Sequence, residues 1–351
     1  MKKNIIIRNT YIKKIEPFIG DSLIKVIVGQ RRVGKSFILL QLMEILKENY
    51  DYQNIIYINK EDYSFDSIRN YSDLIGYVES KNIKNGNAAI FVDEIQEIEG
   101  FEKALRHFQQ KGIYDIYCSG SNAQLLSGEI ASLLSGRYIQ IRIFSLSYRE
   151  FLEFHDFTDS NDSFLKYIQY GGMPHLINLK ENPSVYSEYH RNIFDSIVLR
   201  DIIERYRIRN VRLIQDLIAF LSENIGSVVS AKKISEYLKS QKINTPVKTI
   251  LNYLNYLESV YLINRVKRAE IGGEKIFEIG EKFYFENLGL RNIVVPSTQK
   301  DIGKVLENIV YNNLRVLDYS VNIGKLEDKE IDFVAQKNNQ KIYIQDRKSV
   351  V

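Results

Sequence analysis

Gly29-Gln30-Arg31-Arg32-Val33-Gly34-Lys35-Ser36 sets two glycines, a lysine and a hydroxyl at the spacing of a phosphate-binding loop. The run before it, Leu23 to Val28, predicts a buried strand, and Phe37 to Leu46 predicts a helix. A strand, a glycine loop and a helix in that order belong to a parallel α/β sheet with helices on both faces. Glycine lets the main chain curl until several N–H groups face one anion, and the helix start adds positive potential there. Gln30, Arg31, Arg32 and Val33 supply loop backbone between the glycines, and Phe37 continues the first helical turn. Lys35 is expected to reach the β- and γ-phosphates, and the Ser36 hydroxyl to sit on Mg²⁺. The plain alternative is a glycine turn joining strand to helix, but such a turn needs neither Lys35 nor Ser36.

A second apolar strand, Ala88 to Val92, ends in Asp93-Glu94. Acids at a strand's carboxyl end face the crevice where ligands bind in parallel sheets. Asp93 is expected to hold Mg²⁺ through water, and Glu94 to polarise an attacking water. Either acid alone reads equally as a helix cap or first-turn acid. A third strand, Tyr114 to Cys118, ends in Ser119-Gly120-Ser121-Asn122, small polar groups, Asn122 among them, that either sense the γ-phosphate or hold the water, or else cap the following segment. Arg137, after the turn at Ser135-Gly136, is a candidate arginine finger, acting in cis or toward a neighbouring subunit of a homo-oligomer, or else a surface arginine.

With 351 residues, 44% of them hydrophobic, the chain has material for two or three domains. A net charge of only +4 predicts no general attraction to nucleic acid. The single cysteine, Cys118, rules out a disulfide framework and suits a reducing cytoplasm. The apolar stretch at Ile5-Ile6-Ile7 is too short for a signal peptide, and no segment reaches the length of a membrane span.

Strands and helices alternate over roughly residues 20–145, and from Ser147 the pattern turns helical, breaks at Gly171-Gly172-Met173-Pro174, and resumes from Tyr189 to Tyr206. Three helices come next: Arg212 to Ile225; Ala231 to Leu238, capped by Ser230; and Pro246 to Val260, capped by Thr245. Strands at Leu262-Ile263 and Ile276-Phe277-Glu278, joined through Gly272-Gly273, complete the order of a winged helix. Lys232, Lys233, Lys239, Lys242 and Lys248 could meet DNA phosphates there. The other reading is an interdomain packing module with a solvated basic face. Past Pro296, a helix from Gly303 to Leu314 precedes a hairpin, Lys329 to Ala335 and Lys341 to Gln345, around Asn338-Asn339. Glu307 and Asp332 suit the carboxylate set of a nuclease core, with Gln345 where a further acid is expected. The last six residues, Asp346 to Val351, match one reading frame of a common sequencing adapter. The natural chain is therefore expected to continue past Gln345, and Asp346 and Lys348 are not read as catalytic.

Together, the loop at 29–36, Phe91 to Gln96, Ser119 to Ala123, Ser135 to Tyr138, Leu146 to Phe151, Tyr170 to Pro174 and Lys282 to Asn292 resemble prokaryotic AAA-superfamily P-loop ATPases with a C-terminal domain of unknown function. The resemblance covers nearly the whole chain. It implies ATP as ligand, hydrolysis, a winged helix and a restriction-endonuclease-like C-terminal fold. The expected division is an ATPase domain at 1–146, a helical lid or connector at 147–210, a winged helix at 211–292, a partial nuclease-like domain at 293–345 and an artefactual tail at 346–351. An ATP-driven switch, an ATP-gated DNA-processing protein and a nucleotide-binding scaffold without turnover are the three functional readings.

Overall fold

A computed structural model describes residues 6–83, 87–123, 134, 136–270, 280–298, 301–326 and 329–345. They divide into two units, Met1–Ile143 and Phe144–Val351.

In the first unit five parallel strands stand in the order β2-β3-β4-β1-β5. They are β1 (Ile24–Val28), β2 (Asn54–Asn59), β3 (Ala88–Asp93), β4 (Tyr114–Gly120) and β5 (Tyr138–Arg142). Every residue of β1 and β3 is buried, as expected of strands covered on both faces. The loop-bearing β1 and the acid-bearing β3 are not neighbours, because β4 lies between them. Its register sets Ser119 against Ile27 and Cys118 against Val92. The carboxyl ends of three strands therefore meet at one edge of the sheet.

Helix α1 (Asn9–Ile15), which the sequence pattern did not reveal, buries Tyr11, Ile12 and Ile15 in the core with Ile38, Leu39 and Leu42 of α2 (Lys35–Asn49). Phe91 and Tyr117 stack there with ring centroids 4.5 Å apart. Helix α3 (Tyr71–Ser80) starts in a capping box between Asn70 and Asp73. Helix α4 (Phe101–Lys111) buries Phe101, Ala104, Leu105 and Phe108.

A second polar group lies near the start of β1. Lys25, fully buried, donates to Asp115 Oδ1 at 2.6 Å and to the Asp21 carbonyl at 2.7 Å. The other Asp115 oxygen accepts from Gly20 N, the Tyr52 hydroxyl and the Tyr117 hydroxyl at 2.8–2.9 Å. Burial pulls the Lys25 pKa down against the pull of Asp115, and burial followed by Asp115 pushes both tyrosines up. The set is satisfied throughout, which is what lets two charges lie inside the core.

In the second unit, α5 (Tyr148–His155) opens in a capping box between Ser147 and Glu150, and α6 (Asn161–Tyr170) runs to the expected break. A Cβ on Gly172 would lie 2.1 Å from the Leu146 carbonyl, so only glycine permits that approach. The sequence predicts one helix up to Tyr206. Instead α7 (Pro183–Ser196) passes into a π-helix, Ile197–Glu204. Helices α8 (Val211–Glu223), α9 (Ala231–Ser240) and α10 (Val247–Ser259) come next. Ser230 caps α9 as expected. Thr245 does not cap α10: Pro246 holds that position, and the Thr245 carbonyl accepts from the Ser235 hydroxyl at 2.6 Å.

Strand β6 (Ile263–Glu270) pairs antiparallel with β7 (Glu281–Phe285); the expected strand at 276–278 and its glycine pair lie outside the described residues. β6 also pairs in parallel with β8 (Ser320–Leu326), giving the sheet order β10-β9-β8-β6-β7. This sheet crosses the division expected between residues 292 and 293. Between its two halves lie α11 (Leu288–Val294) and α12 (Ile302–Val316). The hairpin of β9 (Lys329–Lys337) and β10 (Gln340–Ile344) turns at Asn338 and Asn339, both at positive φ, where asparagine is tolerated. The expected tail at 346–351 lies outside the described residues. Among the described residues no helix is long and apolar enough to cross a membrane.

Candidate nucleotide site

The loop between β1 and α2 takes the conformation its glycines allow. Gly29 (φ 155°) passes so close to the Ile143 carbonyl that a Cβ would lie 2.3 Å from it, and Gly34 (φ 99°) leads into α2. Arg32 is exposed and holds φ 68°. Val33 buries its side chain in the core and leaves its backbone to the loop. Ser36 is half-buried and Phe37 exposed, both in the first turn of α2. Arg31 lies 3.7 Å from Glu61.

Lys35 is buried, and its ammonium donates to the Gln30 carbonyl at 3.2 Å and lies 3.5 Å from Glu94 Oε1. That pair joins the loop after β1 to the end of β3. Asp93, 1% exposed, accepts from the Ser119 hydroxyl and, at 3.4 Å, from the Tyr57 hydroxyl. The same Ser119 oxygen accepts from Glu94 N at 3.1 Å. Gln96 donates to Glu94 Oε2 and, at 3.5 Å, to the Ser121 hydroxyl. Burial pushes the Glu94 carboxyl up, but Lys35, the Gln96 amide and Arg31 outweigh it and hold it below the usual carboxylate range. Burial, followed by Asp93, pushes the Tyr57 hydroxyl up. Glu94 sits at φ 53°, a backbone state that costs a non-glycine residue about 1–3 kcal/mol and that clusters at working sites. Asn122 is buried just past β4.

The expected residues of the loop, the acid pair and the β4 end thus share one edge of the sheet. Hydroxyl and carboxylate oxygens, from Ser36 and Asp93, form a donor set that suits a hard divalent cation such as Mg²⁺. The curled loop and its buried ammonium suit a phosphate chain.

Arg137 is not at this edge. It precedes β5, and its carbonyl accepts from Ile24 N at 2.9 Å, at the start of β1. The length of β1, about 16 Å, separates that end from the loop, more than an arginine side chain spans. This placement does not bring Arg137 to the loop of its own chain, and it leaves a role toward another copy or that of a surface arginine.

One residue at the site, Arg8, and the contacts of another, Ser119, were missed in the sequence. Arg8 is buried and donates through Nη1 to the Val33 carbonyl at 3.0 Å. Ser119 is among the small polar groups that the sequence assigns to the γ-phosphate or the water, but its contact with both acids is not legible there. Neither has a local signature, since each acts on a partner more than 20 residues away.

The carboxylates expected of a nuclease core also come together in the second unit. Lys282 Nζ lies 2.6 Å from Glu307, 2.9 Å from Glu330 and 3.8 Å from Asp332. Gln345 donates to Asp332 at 2.8 Å. An ammonium stands at the centre of this group, and among the described residues no cluster of three or more acids, histidines or cysteines is arranged to hold a metal. Cys118 is buried and its thiol is pushed up to about 12 by burial, as suits a packing residue.

Residues 21–152 match the family model described as an AAA domain, and residues 161–301 match one described as a Domain of unknown function (DUF8612). A Haemophilus influenzae protein named only as uncharacterized is 35% identical over 352 residues, covering 98% of this chain and 87% of that one. The uncharacterized protein MJ1544 of Methanocaldococcus jannaschii is 32% identical over 356 residues, covering 96% and 74%. The Walker-type ATPase PABY2304 of Pyrococcus abyssi shares the fold at a TM-score of 0.55 and 13% identity, over 82% of this chain and 95% of that one. With the loop, the acid pair and the parallel sheet in place, the chain belongs to the family of the Haemophilus influenzae protein and MJ1544, an AAA domain followed by a domain of unknown function.

Proposed function

We propose that this protein binds ATP and hydrolyses it to ADP and phosphate with Mg²⁺, and that turnover drives movement of the C-terminal part of the chain. The observation that carries this reading is the Lys35–Glu94 approach at 3.5 Å, which brings the loop cation and the acid after β3 to one place. Lys35 and the loop N–H groups bind and orient the β- and γ-phosphates. Ser36 and Asp93 hold the cation, which when bound draws charge from the phosphate oxygens. Glu94, kept ionised by Lys35 and Gln96, orients the attacking water and takes its proton. Asn122 faces the γ-phosphate, and Arg137 reaches the site of a second copy in a homo-oligomer. Helices α8–α10 followed by β6 and β7 support a winged-helix reading of 211–292, and β8–β10 with α12 support a nuclease-like fold beyond it, with the connector at 147–210.

Nucleotide affinity and phosphate release test the proposal directly. Lys35→Ala is expected to lose ATP binding, and Glu94→Gln to keep binding while phosphate release stops. Unchanged affinity in the first, or full turnover in the second, overturns the assignment. ATP binding without phosphate release in the wild-type protein would favour a scaffold that uses nucleotide only for shape.

A further inference from the structure

From Arg200 to Arg212 the chain holds five arginines against Asp201 and Glu204, a net +3 within thirteen residues, when the whole protein carries only +4. Asp201 is buried, and all five arginines are exposed. Arg205, Arg207 and Arg209 alternate with Tyr206 and Ile208, which are held. The Tyr206 ring stacks on Tyr256 of α10 at 3.8 Å and 11°, and its hydroxyl hydrogen-bonds the Ser259 hydroxyl at 2.8 Å. Ile208 packs into the core and donates its N–H to the Ile203 carbonyl at 3.0 Å. Asn210 caps α8 through Leu213 N at 3.1 Å.

The segment is therefore tied down at Tyr206, Ile208 and Asn210, and Arg205, Arg207 and Arg209 beside these tethers meet no carboxylate among the described residues. Arg212, next along, lies 3.9 Å from Asp216. The amino end of α8, a thirteen-residue helix, adds its positive potential beside Arg209. A tethered backbone spares the cost of ordering the segment on binding, and the planar guanidinium forks fit phosphate oxygens in pairs. Residues 205–210 lie in a turn and bend, with no helix or strand of their own to lay along a groove, so the arginines are placed for phosphate contact rather than for reading base edges.

From this juxtaposition we infer that the Arg205–Arg209 edge binds the phosphate backbone of duplex DNA, independently of sequence. The edge lies outside the lysines of α9 and α10 and does not depend on the nucleotide site.

The test is fluorescence anisotropy of the full chain with labelled 30-base-pair duplexes of two unrelated sequences, across a salt series, with heparin as a second polyanion. The two duplexes are expected to bind alike, and log Kd to change linearly with log salt. Replacing Arg205, Arg207 and Arg209 together by Gln is expected to weaken binding at least tenfold at low salt. Each lost phosphate contact should reduce the salt slope by about 0.9. The corresponding triple Lys variant keeps the charge, so it should retain the slope while losing affinity. Circular dichroism checks that each variant is folded. No binding by the wild type, equal binding by the Gln variant, or binding to heparin without binding to DNA would each overturn the inference.

Discussion

The Arg8 guanidinium donates to the Val33 carbonyl at 3.0 Å, holding the phosphate loop from 25 residues upstream. Arg8 also stacks over the Tyr11 ring at 4.5 Å, and its own N–H donates to Gln41 of α2 at 3.3 Å. The loop is thus braced from α1 as well as from the sheet. Arg8→Ala is expected to weaken nucleotide binding about tenfold, in line with about 1.5–3 kcal/mol for a hydrogen bond to a charged group. Titration with a fluorescent nucleotide measures it; an unchanged Kd would mean the loop keeps its shape unaided.

Gly29 and Gly112 separate two costs of adding a side chain. At Gly112 (φ 66°) a Cβ meets nothing within 4 Å, so Gly112→Ala should cost only the backbone strain, about 1–3 kcal/mol. At Gly29 the same methyl meets the Ile143 carbonyl, which is backbone and cannot swing aside. Gly29→Ala should therefore cost more than Gly112→Ala and abolish ATP binding, as read by urea unfolding and nucleotide titration.

Asp115 neutralises Lys25 inside the core. Asp115→Ala leaves a buried ammonium without its counter-charge, with only the Asp21 carbonyl to accept from it, and two tyrosine hydroxyls without their acceptor, and should destabilise the protein by about 3–5 kcal/mol. Lys25→Met should cost a comparable amount by stranding the carboxylate. The Lys25→Met/Asp115→Leu double variant should recover part of the loss, because no charge is then buried. Unfolding followed by circular dichroism gives all three values, and additive losses would show that the two residues act separately.

His190 is buried in the second unit and donates from Nδ1 to the Tyr186 carbonyl at 2.7 Å. Burial lowers its pKa, against the opposing pull of the Tyr186 and Tyr170 carbonyls, and burial lowers that of His155 as well. The folded state keeps both rings neutral at a pH where the unfolded chain, at about 6.5, begins to take up protons. The contribution of these two rings to stability is therefore fully present above about pH 6.5 and is lost as the pH drops below it, by up to about 1.4 kcal/mol per pH unit for each proton. His190→Gln should flatten that decline by one proton's worth in a pH series of urea unfolding curves. An identical slope in the variant would place the acid sensitivity elsewhere.

The features of this fold that were legible in the sequence are those whose determinants lie close together. The loop, its flanking strand and helix, Asp93-Glu94 and the Asn338-Asn339 turn each fit within about fifteen residues. What escaped depends on distant partners. A lysine in an apolar strand and an aspartate ninety residues on do not announce that they pair. Helix α1 is only seven residues long and has no side-chain cap, so it left no start signal. Eight residues are too few for periodicity to tell a π-helix from an α-helix. The placement of Arg137 needed the strand register, which spacing alone does not contain.

Ser119 occupies the middle strand and engages Asp93 with its proton and the Glu94 amide with its lone pair. The two acids are thereby tethered to a single oxygen, three residues before Asn122. Any displacement of that strand tip must tug both together, so neither carboxylate can drift while the other stays aligned. Ser119→Ala should accordingly slow turnover far more than it weakens ATP affinity.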